Sequence, residues 1–444
     1  MIFLNIIQGK MMFTVKKVKA AIVVGMCAAV LAGCGKGEAA KTDDKKAEDP
    51  GKVKLTLMSS LQTETEAGLE KAMADQYMKE NPDVEIELIG VPMNEMSKKV
   101  IALNTSDDLP DAFSIAAEFI PVAAEMGILA DHTELLGEDY LEGLADTVIE
   151  EASIDGVMRM SPWFVIPTGL VYRADWLEET NRDGIETMDE FKEIAREFTR
   201  DGHWGFSMVG TNNSSGVSRF SQFVKAYGVE EVFQDESGKW KTDLTGDKFK
   251  QALQDFVDLA IKDKVVPPGV TETGYPEASS YFAQEQTGLM ITGSNALGAI
   301  LSANPDLEGK LASVPVPKEE RHSAALNVGG YAVTKSCEHP EEMADFLKFL
   351  TDKEQAVQFA LDTGRLPVND EALEDEAFKD PAFHGFIQAV NHVVPQNRFP
   401  KYTEVWDIMG EAYNTMMGNG TSIDDAMAQV EARMAKLLEE ENKQ

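Results

Sequence analysis

Apolar and polar residues alternate in two short segments early in the chain, and a stretch with helical spacing separates them. Residues 54–58 and 84–88 place apolar side chains at every second position, which predicts two β-strands. Between them, Leu69, Met73 and Tyr77 recur every four residues, as in an amphipathic helix. A strand, a helix and a second strand in this order form a βαβ unit, and such units build parallel sheets. The pattern therefore predicts an α/β fold.

Strand and helix signals continue to alternate further along the chain. The remaining predicted strands are 112–115, 165–172, 289–292 and 332–333. The remaining predicted helices are 96–103, 188–198, 249–261, 341–350 and 421–438. Neither a repeat nor a long linker follows residue 52. We therefore expect two interwoven α/β lobes, with the chain crossing between them more than once.

The N-terminal segment has the pattern of an export signal. Three lysines within residues 16–19 precede the apolar stretch 20–33, whose fourteen residues are too few to span a bilayer, which takes about 20. The sequence Leu31-Ala32-Gly33-Cys34 resembles a bacterial lipobox. The resemblance implies that residues 1–33 are a lipoprotein signal peptide and that Cys34 is acylated. The alternative is an ordinary secretory signal that happens to contain a cysteine.

Residues 34–52 form the predicted tether between this signal and the fold. The stretch after Cys34 contains no large apolar side chain and is rich in Lys, Asp, Glu and Gly. Such a segment buries too little surface to offset the entropy of ordering it. We therefore expect a flexible tether that leads from the lipid-modified cysteine to the first strand.

The composition excludes several classes of partner. The chain has 444 residues, with 41 Lys and Arg against 76 Asp and Glu, so the formal net charge is −35. Nucleic acids and anionic membrane surfaces are held by cationic side chains, so we expect neither as a partner. The three cysteines do not cluster with each other or with histidine, so neither a disulfide framework nor a zinc site is predicted.

Catalytic motifs are absent from the sequence. It contains no G-x-S-x-G, H-E-x-x-H, Walker or G-x-G-x-x-G pattern, and its six histidines are scattered. Carboxylates are so abundant that no particular pair can be nominated as a glycosidase pair. We therefore predict a protein without catalytic residues, metal or cofactor.

A series of landmarks resembles the extracellular solute-binding proteins of ATP-driven uptake systems, and the maltose-binding-protein-like family most closely. The landmarks are 109–111, 127–129 with Leu135, 162–175, 188–198, 282–293, 314–317, 329–330, 339–342 and 346–347. None is decisive alone, but their shared order extends over nearly the whole chain after residue 52.

The resemblance implies a periplasmic-binding-protein-like fold of class II, with two interwoven lobes and the ligand in the cleft between them. It places hinge crossovers near 163–168, 315–318 and 364–369. The N-terminal lobe would comprise 53–163 and 318–365. The C-terminal lobe would comprise 168–315 and 370–444. Closure of the two lobes around a ligand is a hinge motion.

Candidate ligand residues follow from the chemistry of sugars, which present apolar faces and a rim of hydroxyl groups. Two tryptophans are candidates for stacking, and the others lie in loops after strands or beside a crossover. The candidates are Ser60, Gln62, Glu118, Trp163, Asn212, Asn295, Gly330, Tyr331, Arg365 and Trp406. Ile115 and Asn295 stand where maltose binders have aromatic residues, which favours a mono- or short oligosaccharide.

The expected function is that of a lipid-anchored substrate-binding subunit of an ABC importer. A monomer on the extracytoplasmic face of the bacterial cell membrane would capture a sugar and deliver it to the permease. Acylated Cys34 would hold it to the lipid bilayer. The alternatives are the same fold binding a polyol, a phosphodiester or a polyamine, or a ligand sensor for a membrane receptor.

Overall fold

The computed structural model describes residues 51–443 except 62, 117, 118, 181 and 396–398. The predicted signal peptide, Cys34 and nearly all of the tether lie outside the described residues. Two candidate ligand residues, Gln62 and Glu118, also lie outside them. From Gly51 onwards the chain forms one compact unit.

Strands and helices alternate through the described chain, as the sequence predicts. The strands are β1 (Val53–Ser59), β2 (Val84–Gly90), β3 (Ala112–Ser114), β4 (Ser153–Ile154), β5 (Val157–Met158), β6 (Ser161–Arg173), β7 (Trp204–Phe206), β8 (Phe233–Gln234), β9 (Trp240–Lys241), β10 (Thr287–Gly293), β11 (Leu311–Pro315), β12 (Leu326–Val333) and β13 (Leu366–Pro367). The predicted strand at 165–172 is part of the longer β6.

Helices connect most of these strands. They are α1 (Glu64–Glu80), α2 (Met93–Thr105), α3 (Ile120–Glu125), α4 (His132–Leu136), α5 (Glu138–Leu141), α6 (Asp146–Glu151), α7 (Ala174–Glu178), α8 (Met188–Phe198), α9 (Ser214–Ala226), α10 (Asp247–Ile261), α11 (Tyr275–Ala283), α12 (Ala296–Ala303), α13 (Pro340–Phe349), α14 (Lys353–Thr363), α15 (Asp370–Leu373), α16 (Pro381–Ala389), α17 (Tyr402–Asn419) and α18 (Ile423–Glu441). The predicted helix at 188–198 is confirmed with both of its bounds.

Local hydrogen bonds set where the two helices next to the candidate site begin. The side chain of Thr63 caps α1 by accepting from the Glu66 backbone N–H at 3.1 Å. The side chain of Asn213 caps α9 by accepting from the backbone N–H groups of Ser215 and Gly216, at 3.1 and 3.2 Å. These oxygens satisfy backbone donors that the first turn of a helix leaves unpaired.

The main sheet is mixed, and its strand order is β2-β1-β3-β12-β6-β10-β7. β1 pairs in parallel with both β2 and β3, which confirms the predicted βαβ unit. β10 and β7 form a third parallel pair. β12 runs antiparallel to β3 and β6, while β11 and β13 pair with β6 beside the main order.

β6 is shared by two parts of this sheet. Its first half pairs with β12 as far as the Pro167↔Leu326 position. Its second half pairs with β10 and β11 from Thr168 to Arg173. One continuous strand of 13 residues therefore leads from the half of the sheet built on β1 to the half built on β10.

Buried apolar side chains form three clusters around the sheet. One is rich in aromatic residues, contributed mainly by α9, α10 and α17, and includes Phe220, Phe256 and Tyr413. A second packs α1 and α13 against β1. A third lies along the middle of β6 and includes Val165 and Phe386.

Among the residues that the structure describes, no helix is both long enough and apolar enough to cross a bilayer.

Candidate functional site

The carboxyl ends of the parallel strands form the natural binding edge of this sheet, since open α/β sheets bind ligands there. β1 and β3 end next to each other, and the backbone N–H of Ser60 donates to the Ser114 hydroxyl at 3.0 Å. β10 ends at Gly293 and leads directly into Ser294 and Asn295. The strand ends therefore bring the candidates Ser60 and Asn295 to edges where ligands bind.

Arg365 lies beside the end of β10. A Cβ at Gly364 would lie 2.5 Å from the Ser294 carbonyl oxygen, so the backbone at Gly364 packs directly on this loop. Arg365 Nη2 donates to Glu66 Oε1 at 2.5 Å, and the guanidinium lies 4.5 Å above the Phe164 ring. An ion pair and an aromatic face thus hold the plane of this guanidinium.

The loop after β10 contains a buried hydroxyl without a partner. Ser294 is 0% exposed, and its Oγ has no hydrogen bond to any described residue. Asn295 is half-buried, and its side chain leaves no room for a Cβ at Gly293, which would lie 2.8 Å from Asn295 Oδ1. This loop therefore offers one unpaired hydroxyl and one amide at the strand end.

Arg219 approaches the same strand end from the other side. Its Nη1 donates to the Ser215 carbonyl oxygen at 2.7 Å and lies 3.2 Å from the Ser215 hydroxyl. Its guanidinium lies 4.3 Å from the centre of the Tyr275 ring, and the hydroxyl of Tyr275 accepts from Thr292 Oγ1 at 3.4 Å. Burial lowers the pKa of the Arg219 guanidinium, while Tyr275 opposes that shift. We call Ser294, Asn295, Arg365, Tyr275 and Arg219 the strand-end site.

Trp406 and Asn212 lie on one side of α17. A Cβ at Gly410, one turn after Trp406, would lie 2.8 Å from the Asn212 carbonyl oxygen. Trp406 is half-buried and meets the edge of the Tyr402 ring at 6.0 Å between ring centres. Its indole N–H has no partner in the described part of the chain.

Unpaired polar atoms are concentrated at these elements. Eleven buried side-chain atoms lack a hydrogen-bond partner among the described residues, and five of them lie here. The five are Arg219 Nε, Gln222 Oε1, Ser294 Oγ, Arg365 Nε and Trp406 Nε1. Gln222 is one turn after Arg219 on α9. Each unsatisfied buried group costs about 1–3 kcal/mol, so a concentration of such groups is typical of a site that a ligand completes.

The family model for bacterial extracellular solute-binding proteins matches residues 72–385, which is more than half of the chain. The chain belongs to this family. The resemblance to maltose-binding-like proteins that the sequence indicates is thereby confirmed.

Several relatives of this solute-binding protein are named for saccharides. It is 26% identical over 395 residues to the maltotriose-binding protein of Pyrococcus abyssi, covering 88% of this chain and 82% of the relative. It is 24% identical over 363 residues to the diacetylchitobiose binding protein DasA of Streptomyces coelicolor, covering 78% and 81%.

Solved structures share its fold. Maltose-bound MalE3 of T. maritima superposes with a TM-score of 0.70 at 26% identity, covering 87% of this chain and 99% of MalE3. The sugar-binding protein MalE of Xanthomonas citri superposes with a TM-score of 0.73 at 16% identity, covering 88% and 98%, and shows the fold alone. The predicted periplasmic-binding-protein-like fold of two interwoven lobes is confirmed.

Trp163 occupies a different environment in this solute-binding protein from the one expected. The sequence suggests a ring facing the cleft, but Trp163 is only 3% exposed. Its Nε1 donates to the Leu350 carbonyl oxygen at 3.0 Å, and its ring stacks on Phe359 at 4.5 Å and on Tyr331 at 6.1 Å. Because both faces are covered, Trp163 packs the core and presents no face to a sugar in this structure.

Gly330 and Tyr331 also have packing roles here. Tyr331 is 1% exposed, and its hydroxyl donates to the buried carboxyl group of Glu70. Burial raises the pKa of Glu70, against the opposing effect of its hydrogen bonds to Ser59 and Tyr331. At Gly330 a Cβ would collide with the Ser161 carbonyl oxygen, so glycine is needed for the close approach of β12 and β6.

The structure adds residues that the sequence pattern does not reveal. Glu66, Tyr275, Arg219 and Gln222 were not candidates, yet each lies beside a candidate or next to a strand end. The available signal is on α9, where Ser215, Arg219 and Gln222 recur at helical spacing.

Within the described ranges of the chain, no group of three or more His, Cys, Asp or Glu side chains is placed to hold a metal ion.

Proposed function

We propose that this solute-binding protein captures a sugar at the strand-end site and delivers it to the permease of an ABC importer. The concentration of unpaired buried atoms supports this assignment, because sugar hydroxyl groups both donate and accept hydrogen bonds. Several relatives are named for saccharides, including maltotriose, diacetylchitobiose and melibiose, raffinose or stachyose. We propose binding without catalysis.

The proposed ligand residues are those whose side chains remain available. Tyr275 and Trp406 supply aromatic surfaces, while Asn212 and Asn295 supply amides. Ile115 is 1% exposed and lies in the core, so this position has no ring for an extended sugar platform. These surroundings favour a mono- or short oligosaccharide. Ser60, Gln62 and Glu118 stay candidates from the sequence.

Capture by lobe closure is the proposed mode of action. The lobes would be 53–163 with 318–365, and 168–315 with 370–444. The continuous strand β6 supports a crossover near 163–168, and the pairing of Leu366 and Pro367 with β6 supports one near 364–369. The third would lie near 315–318. A cleft closed from both sides buries its ligand almost completely.

The proposed location is the extracytoplasmic face of the bacterial cell membrane, as a monomer anchored by acylated Cys34. The motif Leu31–Cys34 supports this anchor. Changing Cys34→Ala should move the protein from the membrane fraction to the soluble fraction of cells. Retention of the variant in the membrane fraction would refute lipid anchoring while leaving sugar binding intact.

A thermal-shift screen of the purified protein tests the proposed ligand class. Mono- and disaccharides, maltotriose, polyols and polyamines should be compared at equal concentrations. A ligand at 100 times its Kd stabilises the folded state by about 2.7 kcal/mol, and we expect this for at least one saccharide. Stabilisation by polyamines or polyols and by no saccharide would overturn sugar capture.

A further inference from the structure

Buried arginines in this acidic chain differ in whether they have an acidic partner. Arg173 pairs with Asp175 and Glu285, and Arg365 pairs with Glu66. Arg219 forms no ion pair with any described residue, although the chain has 76 acidic side chains. A guanidinium stays cationic in proteins, so the half-buried Arg219 carries a positive charge that no acidic side chain among the described residues balances.

The contacts of Arg219 with Ser215 use only one side of its planar guanidinium group, and Nε lies on the other side. Both contacts to Ser215 use Nη1, on the far side of the fork from Nε. Nε is buried and has no partner in the described part of the chain. The guanidinium carbon lies 4.3 Å from the centre of the Tyr275 ring, and the Arg219 side chain is also hydrogen-bonded to that of Tyr275. A planar carboxylate bonds to an edge of a guanidinium through two parallel N–H···O bonds.

Three of the five unpaired atoms need an acceptor on the ligand, while Gln222 Oε1 needs a donor and Ser294 Oγ can bond to either. Arg365 Nε and Trp406 Nε1 can only donate hydrogen bonds, as can Arg219 Nε. Arg365 already has Glu66 to neutralise its charge. The single uncompensated charge of the strand-end site is therefore that of Arg219 among the residues described, and it calls for one anionic group.

We propose that the ligand is a saccharide with a carboxylate group, a uronic acid or an oligosaccharide containing one. This inference rests on the proposed function and specifies its ligand class. The carboxylate pairs with the Nε edge of Arg219. The sugar ring lies within reach of Tyr275, with hydroxyl groups toward Ser294 and Asn295.

Titration calorimetry with matched acidic and neutral sugars tests this proposal. The purified full chain is titrated with D-galacturonate and D-galactose, with D-glucuronate and D-glucose, and with glucose 6-phosphate. A charged hydrogen-bonded pair corresponds to roughly tenfold or more in affinity, so we expect at least one uronate to bind about tenfold more tightly than its neutral counterpart.

Variants at Arg219 test whether this residue causes the preference for acidic over neutral sugars. Arg219→Gln should bind the acidic and neutral sugars equally, and Arg219→Lys should retain only part of the preference because lysine lacks the planar fork. Arg159→Gln is the matched control. Arg159 is also half-buried, has an unpaired Nε and lies outside the strand-end site, so its loss should leave the preference unchanged. Circular dichroism spectra of each variant confirm that it is folded.

Different outcomes separate the two proposals. Binding of neutral sugars at equal or higher affinity than the uronates overturns the carboxylate proposal and leaves sugar capture standing. Preference for glucose 6-phosphate over both uronates also overturns it, in favour of a phosphate. A uronate preference that survives Arg219→Gln in a folded variant overturns the role of Arg219. If no saccharide binds, sugar capture itself fails.

Discussion

Two arginines with similar aromatic neighbours show how structural and ligand-binding charges differ in this fold. Arg173, at the far end of β6, lies 4.8 Å from the Trp176 ring, and Arg219 lies 4.3 Å from the Tyr275 ring. Arg173 also has three hydrogen bonds to the carboxylates of Asp175 and Glu285, at 2.6–2.8 Å. Arg219 has only neutral hydrogen-bond partners, the oxygens of Ser215 and the Tyr275 side chain.

A ligand-binding arginine can therefore be recognised by the absence of an acidic partner around it. The Arg173 region is complete in the sense that each of the three guanidinium nitrogens donates to a carboxylate, so the charge has acidic partners. The Arg219 region keeps a desolvated charge unbalanced at the sheet edge where ligands bind. A buried charge without a partner is costly, and retaining one is typical of function rather than of stability.

The largest effect on stability is expected for Arg173→Gln, which removes the pairs with Asp175 and Glu285. The loss of charged hydrogen bonds in a nearly buried position should lower the free energy of unfolding by about 2–4 kcal/mol. Urea unfolding measures this change. Arg196→Gln is a control, since its exposed pair with Asp263 should contribute at most about 1 kcal/mol. Equal effects of the two changes would contradict the structural role of Arg173.

His132 lies in a second region where the polar side-chain atoms have partners, and its burial predicts that the stability of the protein depends on pH. His132 is buried, its Nε2 accepts from the Val333 backbone N–H at 2.9 Å, and its Nδ1 lies 2.9 Å from the Ser161 hydroxyl. Burial lowers its pKa to about 3, so the folded state binds fewer protons than the unfolded state between about pH 3 and 6.5.

Stability from His132 should therefore fall as the pH falls below 6.5. Between pH 7 and pH 5 this residue should lower the free energy of unfolding by about 2 kcal/mol. Urea unfolding at both pH values measures the change, and His132→Gln should remove most of it. If the variant kept the full pH dependence, other groups would have to account for it.

A comparison of two tryptophans tests the same distinction at aromatic residues. Both rings pack against the same apolar cluster, but the indole N–H of Trp406 has no partner among the described residues, and Trp240 meets Phe399 edge-on at 5.0 Å. Trp406→Ala should weaken the affinity for the sugar identified by screening by about 1–2 kcal/mol. Trp240→Ala should leave that affinity unchanged in calorimetry. Loss of affinity in the Trp240 variant alone would reverse the assignment.

The smallest effect, and the one of opposite sign, is expected for Arg219→Gln without ligand. Removing an unbalanced buried charge should raise the free energy of unfolding by about 1 kcal/mol. Urea unfolding of the ligand-free variant measures it beside Arg173→Gln. A clear decrease in stability would show that Arg219 has a stabilising partner and would remove its contrast with Arg173.

The local pattern of apolar and polar residues is sufficient to predict most helices and strands of the fold. The helix at 188–198 has apolar residues at regular helical spacing and a Thr187–Glu190 capping box, so its bounds can be read from neighbouring residues. The strand at 165–172 was found but its extent was not, because the pairing that extends β6 to Ser161 involves distant β12.

The site was less predictable because its residues depend on contacts far away in the chain. Trp163 is covered by Phe359 and by the carbonyl of Leu350, and nothing near residue 163 indicates that packing. Arg219 looks like an ordinary polar position of a helix. Its unbalanced charge becomes visible only once Tyr275 and the end of β10 are placed beside it.

The shared strand β6 also constrains the order of events during synthesis. Its partners β10, β11, β12 and β13 all follow it, the last ending at Pro367. Until those segments leave the ribosome, Ser161–Arg173 has no partner strands along its length, and unpaired strand edges promote aggregation. We therefore expect slow folding dominated by long-range pairing, and chains truncated before β12 should be insoluble.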